Sequence, residues 1–452
     1  MNSPIIHKAK YRQITKEKKG AIQMKHHHFN TNENLKQLTE KTLIIGVDVS
    51  KKIHVARAVD YRGMELSKTF AFQSDIKGFL HFHSWIRELR LMKNKTNLII
   101  GLEPSGVYGN TLIQYLRGYD IKVVLVLGSQ VAKAKELDDN SPSKNDPKDA
   151  ITICGLVRDG RFRKLREFSD EISELKVTMA INRQLTKDIT RVKCRIDNWL
   201  TQYFPEFTIA FKDWTLKTAL LTLKICPMPK DITTMPPGEL VRLWREAGVI
   251  KGIGIKKADE LRHLAKNTAG ITSAPEFAEM HIRTLLSQYE LYIEQMEELW
   301  AVIDTLVKDI PLYDILSGIP HIGKKAVCGI IAEIGDPTEF EHPNQLIRLA
   351  GLSLKEASSG NKKGQSKITK RGRPMLRHWL YIAVLELLKW KEPTFWALHQ
   401  YYTTRKDNPL KKMQSVTALC CRLLRIIHGM SISGAPFDPQ RVTAGIPALK
   451  AA

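Results

Sequence analysis

The chain has 452 residues, 43% of them hydrophobic, and carries a formal net charge of +23. That length suggests two to four domains, and so large an excess of Lys and Arg points to a polyanionic partner. No run of about 18 uncharged apolar residues is present, so no membrane span is expected, and nucleic acid is favoured over an anionic membrane.

Residues 1–41 are polar and basic, with Lys8, Lys10, Arg12, Lys16, Lys18 and Lys19 close together and a short run His26–His28. Without apolar periodicity they read as a flexible arm, and without an apolar segment or cleavage site they do not read as a secretory leader. Residues 42–165 change character abruptly. Leu43–Val49 is a strand-like apolar run broken by one acid, and His54–Val59 and Thr69–Phe72 follow as strands around the turn Asp60–Gly63. Helical spacing over 75–92 (Phe79, Phe82, Ile86, Leu89) precedes a strand at Leu98–Leu102, a helix at about 108–118 and a strand at Val123–Leu127. A basic helix, a polar loop at Asp138–Asn145 and a helix over 147–158 complete a mixed-sheet α/β domain.

Residues 166–313 read as helical. Leu285, Tyr289, Tyr292, Met296, Leu299, Ile303, Leu306 and Ile310 alternate steps of 4 and 3, the seam of a coiled coil. The shorter series Ile189, Val192, Ile196, Trp199 and Tyr203 does the same; whether the two pair within the chain or between subunits is open. The stripe at 285–310 predicts a partner helix and with it a homo-oligomer, a dimer or tetramer. Residues 205–283, rich in Pro, read as a small helical insertion. Residues 314–430 form a last, mostly helical domain. Gly318–Gly323 resembles the turn of a helix-hairpin-helix, and a glycine- and lysine-rich loop at 355–374 lies between a helix at 324–334 and apolar helices at 375–390 and 414–429. Residues 431–452 read as a tail. Cys154, Cys194, Cys226, Cys328, Cys420 and Cys421 form neither a CxxC pair nor a zinc spacing, and read as reduced core thiols of a cytoplasmic protein.

Asp48 interrupts the first strand, where a buried carboxylate is costly unless it is paired or bound to metal. Glu103 ends another strand, and Asp146 and Asp149 share one face at a helix start. If the two strands lie side by side with the helix across them, the four acids suit two Mg²⁺ ions about 4 Å apart, held by hard oxygen ligands. Three of the acids also have a plainer role: Asp146 as an N-cap before Pro147, Asp149 as first-turn charge, and Glu103 as a strand end meeting solvent.

The run Ile45–Lys51, then Glu103-Pro104-Ser105-Gly106-Val107-Tyr108, then Asp146-Pro147-Lys148-Asp149-Ala150 resembles the DEDD-type insertion-sequence transposases, the IS-one-ten family. Leu316–Gly323, Ala350-Gly351-Leu352, Ser358-Ser359-Gly360, Ser366–Gly372 and Leu376-Arg377 continue the likeness in order, so that it covers about 43–200 and 314–430. The resemblance implies an RNase H/RuvC-like nuclease domain and a C-terminal transposase domain. It places the metal-binding tetrad on Asp48, Glu103, Asp146 and Asp149, and a nucleophilic serine, joined in turn to a DNA 5′ phosphate, on Ser359. It further implies donor and target DNA as partners, with a structured guide RNA encoded at the element's end.

Residues 355–377 carry eight Lys or Arg against one acid, Glu356, which suits close approach to a phosphodiester. Lys362, Lys363, Lys367, Lys370, Arg371, Arg373 and Arg377 are the expected nucleic-acid ligands. By residues alone, a plain phosphate-binding loop in which Ser359 only hydrogen-bonds is the favoured reading, which the resemblance reverses; Ser358 is the nearest rival for the nucleophile. The competing functions are a structure-specific nuclease without serine chemistry and a nucleic-acid packaging protein.

Overall fold

Leu43, Ile44, Ile45 and Val47 have no exposed surface, because the strand they form, β1 (Thr42–Asp48), is covered on both faces. The computed structural model describes residues 29–443 apart from 105, 139–145, 250–252, 356–357, 360–361 and 364–366. Most of the basic arm, the loop expected at Asp138–Asn145 beyond its first residue, and the end of the tail lie outside the described residues. The chain divides after Glu167 into two units.

In the first unit a helix, α1 (Phe29–Leu35), precedes β1. Its buried Asn34 donates to the carbonyls of Gly160 and Phe162 at 2.9 and 3.1 Å, so the segment just before the sheet is tied down rather than part of a free arm. β2 (Ile53–Val59) and β3 (Phe70–Gln73) continue antiparallel from β1, as the turn at Asp60–Gly63 requires. α2 (Ile76–Met92), N-capped by Asp75, buries Phe79, Phe82, Ile86 and Leu89. β4 (Asn97–Leu102) then pairs parallel with β1. After α3 (Asn110–Arg117), β5 (Val123–Leu125) pairs parallel with β4. α4 (Gly128–Asp138) and α5 (Asp146–Arg158) follow, and a two-residue edge strand, β6 (Arg163–Lys164), closes the order β3-β2-β1-β4-β5-β6. The unit is thus α/β with a mixed sheet.

Two glycines decide how α5 lies on that sheet. Gly46 of β1 and Gly101 of β4 are register partners. A Cβ at Gly46 would fall 2.8 Å from the Cys154 backbone nitrogen and closer still to the Ala150 carbonyl oxygen. One at Gly101 would strike a Val157 methyl. With no side chain at either position, α5 presses directly onto the two strands. The Cys154 thiol accepts the Gly46 N–H at 2.9 Å, and burial pushes its pKa up to about 12, so it remains protonated.

The second unit begins with α6 (Asp170–Tyr203), capped by Ser169. Short helices α7 (Phe207–Ala210), α8 (Lys217–Ile225), α9 (Pro229–Thr234), α10 (Pro237–Glu246) and α11 (Ile255–Lys266) form the expected insertion around a core that holds Trp199, Phe204, Phe207 and Trp244. α12 (Pro275–Leu306) runs back along α6: Trp199 Nε1 donates to the Ala278 carbonyl at 2.9 Å, and Trp300 Nε1 donates to Asn182 Oδ1 at 3.1 Å. These two contacts fix an antiparallel pair within one chain. Leu285, Tyr289, Ile303 and Ile310 are buried and the other four stripe positions half-buried, so the stripe that predicted a partner copy is covered by the chain itself.

α13 (Pro311–Ser317) and α14 (Lys324–Ile334) flank the hairpin turn, in which His321 adopts φ of 60°. α15 (Pro343–Leu349) precedes two small hairpins: β7 (Leu354–Lys355) with β10 (Lys367–Ile368), and, between them, β8 (Ser358–Ser359) with β9 (Lys362–Lys363). α16 (Pro374–Lys389), α17 (Pro393–Thr404) and α18 (Lys412–Ser433) complete the core. By length and composition α18 is apolar enough to cross a membrane, yet Leu419, Leu423, Leu424 and Ile427 are buried in that core. The expected tail also starts too early. Val442 of α19 (Pro439–Thr443) is fully buried, and its carbonyl accepts from Arg422 Nε at 2.7 Å. Of the cysteines, Cys194 is exposed rather than a core thiol.

Candidate active site

The parallel register of β1 and β4 ends at Val47↔Leu102, so Asp48 is the next residue on β1 and Glu103 the first residue past β4. Side chains alternate between faces along a strand. Gly46 and Gly101 face α5, which puts Asp48 and Glu103, two residues on, toward the same side. Both acids are half-buried. Asp146 is the first residue of α5 and Asp149 lies one turn further, directly before the Ala150 carbonyl that rests on Gly46. The sheet and α5 therefore gather all four sequence positions at one end of the unit, although the side chain of Asp146 lies outside the described residues.

Asp149 is 6% exposed, and its carboxylate is paired with Lys135 of α4. The Glu103 carboxylate lies against Gly128, the first residue of α4, where a Cβ would collide with its oxygen. Among the described residues, no three His, Cys, Asp or Glu side chains close around one point. The donor set nevertheless fits a hard divalent ion: it is all oxygen, carried by two strand ends and a helix start, with no thiol or imidazole in it. Behind Asp48, the buried His54 accepts the Ser50 N–H at Nδ1 (3.2 Å) and shapes the turn between β1 and β2; burial lowers its pKa.

The second unit places Ser359 opposite Lys362, and Ser358 opposite Lys363, in the register of the inner hairpin. Their side chains lie outside the described residues, as do Glu356, Gly360, Gly364 and Ser366. Lys367, Lys370 and Arg371 are exposed beside the hairpin. Arg373 and Arg377 are engaged internally. Arg373 donates to the Glu333 carbonyl, with the Glu333 carboxylate 3.7 Å away, and Arg377 donates to the Ala350 carbonyl at 2.8 Å. These two guanidinium groups hold the base of the hairpin to the helices.

Two features escaped the sequence reading. One is Lys135, which looked like any solvated lysine on a basic helix. The other is Trp390, 60% exposed and stacked on His321 at 5.9 Å. A tryptophan directly after a helix that ends in lysine was the available signal.

A family model of DEDD transposases matches residues 45–205, the segment that carries all four acids. A second, described as the transposase IS116/IS110/IS902 family, matches residues 313–400 and spans the hairpin turn and Ser359. The chain belongs to the IS110 family of transposases. Members cleave DNA and transfer strands, and this chain is an enzyme of that kind. It is 22% identical over 354 residues to the insertion element IS110 uncharacterized 43.6 kDa protein of Streptomyces coelicolor, a match covering 78% of this chain and 85% of that protein. Over 145 residues it is 28% identical to the pilin gene-inverting proteins of Moraxella bovis and Moraxella lacunata, covering 32% of this chain and 44% of each.

Proposed function

We propose that this transposase exchanges DNA strands with Mg²⁺ held by Asp48, Glu103, Asp146 and Asp149 and with Ser359 as nucleophile. The observation that carries the first part is the β1–β4 register, which brings Asp48 and Glu103 side by side on the face crossed by α5. Six strands in the order 3-2-1-4-5-6, with three of them parallel, support an RNase H/RuvC-like assignment of the unit. Bound there, divalent ions supply charge stabilisation for a pentacoordinate phosphate and its leaving oxygen. The chain's own contribution is to fix three ligand-bearing elements against one another through the glycine crossing.

In the serine step, Ser359 Oγ attacks phosphorus and forms an O–P bond. The P–O3′ bond breaks, and the released 3′ oxygen takes up the proton the hydroxyl gives. The 5′ phosphate stays on the serine until a second 3′ hydroxyl attacks it, reforming a phosphodiester and returning a proton to the serine. The lysines paired with Ser358 and Ser359 in register favour the anionic phosphate there. Exposed Lys367, Lys370 and Arg371 suit the backbone of donor DNA, target DNA or a structured guide RNA. A homo-oligomer remains part of the proposal, although the 285–310 stripe no longer argues for it.

Asp48→Ala should abolish cleavage while folding and nucleic-acid binding survive. Ser359→Ala should lose a denaturation-resistant protein–DNA adduct and recombination, and Ser358→Ala should cost much less. Products formed without any adduct would favour a nuclease without serine chemistry, and full cleavage by Asp48→Ala or in EDTA would sink the metal assignment.

A further inference from the structure

The acid site carries a cation of its own. Lys135 reaches from α4 to the Asp149 carboxylate, and the pair is shielded: the Lys135 side chain is 26% exposed and that of Asp149 is 9% exposed. A carboxylate so placed needs a counter-charge, since an unpaired buried anion is strongly destabilising. α4 also touches Glu103, whose carboxyl carbon would lie 3.3 Å from a Cβ on Gly128. That contact sets an anion against the positive end of the helix, where it is stabilised. One eleven-residue helix therefore contacts two of the four acids, in its first turn and two turns later. The stretch that follows it, 139–145, leads in sequence straight to Asp146.

We propose that Lys135 is a resident counter-ion of the acid site: it holds Asp149 in place of metal and must leave that carboxylate for a divalent ion to bind. This rests on the metal reading of the tetrad. An ammonium and a dication cannot share one carboxylate at contact distance without strong repulsion, which in a shielded site is little screened by salt. Lys135 therefore opposes metal binding and, when bound to Asp149, stabilises the fold. Its role is positional, exerted through Asp149.

The test uses the full chain with Mn²⁺ as probe, bound ion being read from the loss of the free-Mn²⁺ electron paramagnetic resonance signal and stability from thermal melting. Lys135→Met should bind Mn²⁺ about tenfold more tightly than the unaltered chain. It should melt at a lower temperature in EDTA, and the gap should close at saturating Mn²⁺. Lys135→Arg, which keeps the charge, should stay close to the unaltered chain in both measurements. If the methionine variant does not fold, Lys135→Gln leaves a donor for Asp149 and carries the same expectation for affinity. Unchanged or weaker Mn²⁺ binding in these neutral variants, with Asp48→Ala binding none, overturns the counter-ion role and leaves the tetrad intact. No Mn²⁺ bound by the unaltered chain removes the tetrad reading itself, and this proposal with it.

Discussion

Replacing Gly46 by alanine tests whether the glycine crossing positions the acids. The new methyl would meet the Ala150 carbonyl oxygen and stand 2.8 Å from the Cys154 nitrogen and 2.9 Å from its sulfur. Two of those three atoms are helix backbone, so α5 must retreat; ordinary contact distances require a shift of about 1 Å. Overpacking of this kind costs roughly 1–3 kcal/mol, which a 452-residue protein can survive. The catalytic cost should be larger, because a misplacement of about 1 Å in a preorganised site can reduce the rate roughly a hundredfold. The shift falls on Asp146 and Asp149 but not on Asp48 or Glu103. Gly101→Ala is the matched control: its methyl meets side-chain methyls of Val157 and Ile153 rather than backbone, and the double variant with Val157→Ala opens the space. Single-turnover cleavage of labelled donor DNA, with thermal melting and DNA binding on the same preparations, separates the effects. Gly46→Ala cutting at the unaltered rate would refute the reasoning, as would Gly101→Ala with Val157→Ala being equally inactive at full stability.

Three further outcomes follow from the same structure. Burial lowers the pKa of His54, and burial with a nearby Arg87 or Lys412 lowers those of His83 and His399. The unfolded chain then takes up protons first, so stability should be full above about pH 6.5 and fall as the pH drops below it; His54→Gln should flatten the fall seen by thermal melting, and an unchanged profile would count against His54. Leu285→Asp and Ile303→Asp place a charge at fully covered seam positions and should destabilise the monomer by several kcal/mol, whereas folded monomers of normal stability would show the seam to be a subunit interface. Nucleic-acid affinity should fall steeply with salt, each neutralised phosphate adding roughly −0.9 to the log–log slope on duplex DNA, and a flat response between low and physiological salt would contradict a phosphate-dominated interface.

What the sequence made legible followed from local rules. Strands β1, β2 and β4 and the helix α2 appeared as apolar runs of the correct period, because burial imposes that period on them. Asp48 stood out since an acid within such a run demands a reason, and Glu103 followed from its place one residue past a strand. Pairing over long distance was not legible. The 4-3 stripe of α12 states that a partner helix exists but not that α6, about a hundred residues earlier, supplies it. Short elements such as β6 and α19 bury too few residues to leave a periodic trace.

Charge was the least legible property of all, because a sequence counts cations and a fold spends some of them. Arg373 and Arg377 belong to the basic cluster by composition, yet their guanidinium groups satisfy the carbonyls of Glu333 and Ala350. A guanidinium with five donors readily takes on such work where a turn leaves carbonyls without partners. Lys135 is spent on Asp149, the residue whose acid was read as a metal ligand. Among the described residues, Lys367, Lys370 and Arg371 remain exposed beside the hairpin and have charge left for a phosphate. Neutralising these three should lower the salt slope as well as the affinity. Replacing Arg377 should instead disturb the fold at Ala350 and Lys370, whose carbonyls it holds, and lower the melting temperature before it changes the slope.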